Sequence, residues 1–124
     1  MIIVRTTDRL QYSTDGKVVR LPPALMQPMS ADDVAAGLVD HTLGSPLNRI
    51  VEIAGPEALG IDEAVRRYLT ATGDARQVIT DASAPYYGVK VSEKSLTPDH
   101  ATWIGATRLD DWLAQLPNAG AVTV

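Results

Sequence analysis

Apolar and polar positions alternate along this chain in several recognisable periods. Ile2-Ile3-Val4 reads as a short strand. Thr14 to Lys17 reads as a turn, because Asp15-Gly16 readily supplies a residue with positive φ. Val18 to Leu21 follows as a strand that Pro22-Pro23 ends, since proline lends no N–H to a ladder. Ser30 is placed as a helix N-cap whose hydroxyl accepts from the Asp33 backbone N–H, with Asp32 and Asp33 at the positive end of the helix dipole. Val34, Leu38 and Thr42 recur at helical spacing, with Ala31 and Ala35 beside them, until Gly44-Ser45-Pro46 stops the helix.

Arg49 to Ala54, carrying Ile50, Val51 and Ile53, predicts a buried strand that ends at Gly55-Pro56. Ile61, Ala64, Val65, Tyr68 and Leu69 form the apolar stripe of a second helix, closed by Gly73 as its C′ residue. Gln77 to Thr80 is a third strand candidate, and Asp81 to Thr107 is less regular, with Pro85, Gly88, Pro98 and Gly105. Thr107 to Asp110 repeats the capping pattern before a last helix with Leu109, Trp112, Leu113 and Leu116, ended by Pro117. Residues 117–124 are expected to form a mobile tail. The order β–α–β–α–β–α argues for a small layered α/β domain of about three helices and three to four strands.

Composition narrows the function classes. The 124 residues suit a single domain, with 45% apolar and 21% charged residues. The net charge of −4 disfavours nucleic acid and anionic lipid as partners, since both need a cationic surface. The chain has no cysteine, so disulfides, thiolate zinc sites and cysteine nucleophiles are excluded, and a reducing cytoplasm is the expected location. No apolar run is long enough to span a bilayer, and the start lacks the basic region of a signal peptide.

Each candidate chemistry has a plainer structural explanation. Gly55 to Gly60 is the nearest thing to a phosphate loop, but Glu57 would repel a phosphate and Pro56 removes a donor, so a strand-to-helix turn is expected. Tyr86 and Lys90 have the spacing of a catalytic Tyr-x-x-x-Lys pair, which requires a helix. Pro85, Gly88, Val89 and Val91 argue against one. His41 and His100 are far apart and have no metal-ligand spacing, and no Gly-x-Ser-x-Gly elbow is present. Asp32-Asp33 and Asp110-Asp111 are explained as first-turn acids, and Arg66-Arg67 as a solvated face matched by Asp62 and Glu63.

Three stretches resemble one family in the correct order. Val19 to Ala36, with Pro22-Pro23 and Asp32-Asp33-Val34, resembles the stretch after the nucleotide-binding half of atypical short-chain dehydrogenase/reductase proteins. This is the NAD(P)H-binding, nitrogen-metabolite-repressor-like group. Asn48 to Gly55, followed by Ile61 to Gly73, resembles their next strand and helix. Tyr86 to Gly88, Ser95 to Pro98 and Gly105 to Leu113, with Asp110-Asp111-Trp112-Leu113, resemble their C-terminal end. The resemblance spans about Val18 to Leu113. It implies a substrate-side lobe at residues 18–116, with residues 1–17 as a strand and turn extension within the one domain.

The family's Gly-x-x-Gly-x-x-Gly loop has no counterpart here, so no cofactor site, catalytic residue or metal site is carried over. The expected function is a truncated or stand-alone lobe, not catalytic alone; the alternative is a small-molecule-binding or oxidoreductase subunit completed by a cofactor-binding partner chain. The resemblance makes Gln27, Met29 and Ser30 candidates for lining a pocket, against a plain strand-to-helix connection with a capping serine. A sheet edge without the upstream half needs cover, so a homodimer burying on the order of 1,200 Å² or more is expected. Met1 to Val4 is suited to add a strand there.

Overall fold

Strand β2 (Val18–Leu21) is the centre of the main sheet in the computed structural model, which describes residues 14–116. The expected strand at Ile2 to Val4 and the tail at 117–124 lie outside the described residues. On one side β2 pairs antiparallel with β1 (Thr14–Asp15) through the anticipated turn, where Gly16 has φ +62°. On the other it pairs in parallel with β6 (Gln77–Thr80), Val18 opposite Gln77 and Leu21 opposite Thr80. A parallel pair needs a long crossover. The connection here contains two helices, α1 (Ala31–Leu43) and α2 (Ile61–Ala71).

Two short sheets flank the main one. β3 (Leu25–Met26) pairs antiparallel with β5 (Leu59–Gly60), and β4 (Ile53–Ala54) pairs in parallel with β7 (Trp103–Ile104). Helix α3 (Leu109–Ala114) closes the described chain and packs on α2. The result is the expected small mixed α/β domain, with seven strands among the described residues, five of them two residues long.

Helix α2 organises the core because its stripe has the right period. Ile61, Ala64, Val65 and Leu69 are buried against Val19 and Leu21 of β2, Met26, Leu59 and Leu109. Its end is as anticipated. Gly73, at φ +70°, donates to the Thr70 carbonyl, and Asp74 N–H reaches back to the Leu69 carbonyl at 2.9 Å, closing a Schellman motif.

Two expectations are corrected. Arg49 to Ala54 is not a buried strand: only Ile53–Ala54 pairs, and Ile50 is 93% exposed. A run of β-branched residues reports strand propensity, whereas pairing needs a partner, and β7 faces only the last two residues. The Val34, Leu38, Thr42 series lies on a helix as expected, with Leu38 59% exposed. Thr107 is not the cap of α3. Arg108 holds the cap position without a side-chain capping bond, and the Glu57 carboxylate supplies the acceptor to Leu109 N–H at 3.2 Å.

Candidate functional site

A parallel strand pair points its carboxyl ends at one place, and in open α/β sheets that is where ligands collect. Beyond Leu21 the chain continues as Pro22-Pro23-Ala24, and beyond Thr80 it continues as Asp81-Ala82. Between these two exits lies a cleft of about 320 Å³ lined by Pro22, Pro23, Ala24, Ala82, Val91 and Glu93. Its walls are fixed by backbone bonds. Asp81 N–H donates to the Leu21 carbonyl at 2.9 Å, extending the pairing one residue past β6, and Leu25 N–H donates to the Glu93 carbonyl at 3.0 Å.

The lining decides what the cleft can hold. Pro22 and Pro23 leave the wall after β2 without N–H donors, and Glu93 adds a carboxylate. Such a wall repels phosphate and carboxylate groups and accepts an apolar body bearing a hydrogen-bond donor or a positive charge. Beside it, the Asp81 carboxylate accepts from the Ser83 hydroxyl at 2.6 Å and the Ser83 N–H at 2.9 Å, with Arg20 at 4.0 Å. The Ser83 hydroxyl, then its N–H, hold the Asp81 carboxyl below the usual carboxylate range, so it is an anion at neutral pH.

The sequence candidates Gln27, Met29 and Ser30 lie elsewhere, on the connection from β3 to α1. Gln27 embraces Gly55: its side-chain amide donates to the Gly55 carbonyl at 3.0 Å, and its own carbonyl accepts from Gly55 N–H at 3.2 Å. A Cβ at Gly55 would overlap the Pro28 carbonyl oxygen, so this close approach requires glycine. Met29 is buried, and Ser30 is buried with its hydroxyl accepting from Asp33 N–H at 3.1 Å, the anticipated cap. All three side chains are engaged inside the fold.

The same connection anchors the loops after β4 and β7. Asp33 accepts from Thr107 N–H at 2.8 Å, and Glu57 bridges Arg108 at 2.6 Å to the start of α3. The segment Gly55 to Gly60 therefore braces helix α3 and ends in β5, instead of running straight from strand to helix.

Tyr86 to Lys90 forms a tight turn. Tyr86 N–H bonds the Val89 carbonyl at 2.8 Å and Val89 N–H returns to Tyr86 at 3.0 Å, with positive φ at Tyr87 and Gly88. The helix that a Tyr-x-x-x-Lys pair needs does not form there. His41 bonds the Gly37 carbonyl of its own helix through Nδ1 at 2.7 Å. Among the described residues, no three His, Cys, Asp or Glu side chains gather as a metal site.

No family model matches the chain, and no curated protein or solved structure does either.

A second hollow, about 510 Å³, lies between α2 and α3 and includes Arg66 and Arg67. Both cations are answered. Arg66 reaches Glu63 at 2.6 Å, and Arg67 reaches Glu63 at 3.0 Å and Asp110 at 3.2 Å. The two guanidiniums, Arg67 first, hold the Glu63 carboxyl below its usual range. The expected salt-bridge face is thus present with a change of partner: Asp62 is buried instead, accepting from the Thr80 hydroxyl and tying α2 to β6. Sequence reasoning missed the cleft residues Ala82, Val91 and Glu93 because they belong to the irregular segment, where no period connects them to β2. The Pro22-Pro23 pair was the available signal.

Proposed function

We propose that this chain is a substrate-side lobe of a reductase-like protein, with no cofactor site of its own, that holds a small apolar molecule beyond the carboxyl ends of β2 and β6. The cleft at that place carries the reading, because its prolines and Glu93 disfavour the pyrophosphate of a dinucleotide, while a lining shared about equally between polar and apolar surface suits a small organic body bearing a hydrogen-bond donor. The three sequence stretches quoted above support the family assignment by their order. A homodimer, or a cofactor-binding partner chain laid across the cleft, belongs to the same reading, as does a reducing cytoplasm. No helix among the described residues is long and apolar enough to cross a membrane.

The test is a pair of titrations followed by amide NMR. Benzylamine, an apolar ring with a cationic donor, is expected to shift the amides of Ala24, Ala82 and Val91, and Glu93→Gln is expected to weaken it. NADH and NADPH are expected to give no micromolar binding by calorimetry. Tight dinucleotide binding, or benzylamine shifts scattered away from those three amides, overturns the proposal.

A further inference from the structure

Helix α1 is built with its polarity reversed. At 3.6 residues per turn, Asp33, Gly37, Asp40 and His41 share one side of it. That side faces the protein: Asp33 accepts from Thr107 N–H, Asp40 accepts from the Trp103 indole N–H at 3.0 Å, and Gly37 lets the Trp103 ring lie against the helix. A Cβ on Gly37 would stand 3.0 Å from that ring. The opposite side carries Ala35, Leu38, Val39, Thr42 and Leu43, all exposed. Leu38 is 59%, Val39 53% and Leu43 82% exposed, and the segment leaving the helix adds Leu47 and Ile50. From Ala35 onward this outer side bears no charged residue.

We propose that the outer face of α1 is the surface on which a second copy of this chain packs, the two helices running antiparallel about a two-fold axis. The proposal rests on the homodimer included in the reading above and names its surface. Charge selects the occupant. A chain of net charge −4 repels its own copies across most faces, whereas here Asp33 is taken up by Thr107 N–H, Asp40 by the Trp103 indole, and Asp32 is the one acid left at the N-terminal edge of the face. An uncharged face has no cation to offer nucleic acid or anionic lipid. Antiparallel packing also sets the N-terminal turn of each helix, with Asp32, beside the C-terminal end of the other. Opposite dipole ends then meet, and Arg49, which has no ion-pair partner among the described residues, lies six residues beyond that end. Area agrees. Burying the exposed parts of these five side chains together with Leu47 and Ile50 removes on the order of 1,000 Å² in total from the two copies, the lower limit of a specific interface.

Sedimentation equilibrium of the whole chain tests this, with Leu43→Glu and the milder Leu38→Ser as variants whose folding is checked by circular dichroism. A wild-type dimer at tens of micromolar is expected, with Leu43→Glu raising the dissociation constant about tenfold or more and Leu38→Ser doing so less. A dimer equally tight in both variants means that copies meet elsewhere; the surface is then wrong while the homodimer stands. A wild-type monomer overturns both.

Discussion

Helices α1 and α2 come from the same crossover and obey opposite rules. In α2 the apolar stripe faces inward, and Glu63, Arg66 and Arg67 form an ion-pair network on its accessible side. In α1 the contacts to the rest of the protein are directed bonds from Asp33 and Asp40, while the leucines face out. Helix α2 is held by removal of apolar area from water, α1 by a few hydrogen bonds, a serine cap and a tryptophan laid on a glycine. Periodicity finds a helix in either case. It does not say which side is buried, because a stripe can be meant for the chain's own core or for a surface outside it.

The comparison breaks first at the core. Ile61→Ala, at a fully buried position of α2, is expected to cost about 2–5 kcal/mol in urea unfolding. Leu38→Ala on α1, measured at concentrations where the chain is dissociated, should fall within about 0.5 kcal/mol of wild type. Equal losses at the two sites would mean that α1 is seated like α2. A smaller effect is expected from Asp33→Ala, about 1–3 kcal/mol, since Thr107 N–H loses its acceptor. Near-ultraviolet dichroism should show Trp103 released along with it. Glu57→Gln should cost about 1 kcal/mol by weakening the start of α3 and the Arg108 bridge, read as a lower urea midpoint.

The smallest expected effect is pH-dependent and belongs to the α2 and β6 side. Glu63 is held low by Arg67 and then Arg66, Asp74 by the Arg76 side chain and then its N–H, and Asp81 by the Ser83 hydroxyl and then its N–H. A carboxyl whose folded pKa is depressed stabilises the fold above its unfolded pKa and loses that contribution as pH falls through the folded one. Stability should therefore be flat above about pH 5 and decline below about pH 4, modestly because these groups are solvated. A Glu63→Gln variant should decline less. An identical slope in that variant would show that its arginine contacts do not stabilise the fold.

Much of the fold was legible in the sequence where local physics decided it. Gly16, Ser30 and Gly73 announced a turn, a cap and a helix end, and each does that work. The parallel partners β2 and β6 were visible as strands, though their pairing was not, since it depends on α2 carrying the chain back. What stayed hidden was set by distant partners. β7 is a two-residue strand that exists because β4 lies beside it, and α3 is capped by Glu57 from 52 positions earlier. Of the candidate site, only the Pro22-Pro23 exit could be read in advance. Glu93 and Val91 arrive there through a tertiary tether at Leu25.

Because the chain has no cysteine, a single spin label can be placed anywhere by one substitution. Dipolar spectroscopy with the label at Ala36→Cys, on the rim of the outer face of α1, reads the distance between copies, with Thr70→Cys on α2 as the reference. Facing α1 helices pack with axes about 8–10 Å apart, which places the Ala36 labels within about 25 Å of one another once their tethers are added. The Thr70 labels should then lie farther apart. A Thr70 distance shorter than that of Ala36, or no dipolar coupling at Ala36 in a chain that sediments as a dimer, would contradict the reversed-helix interface.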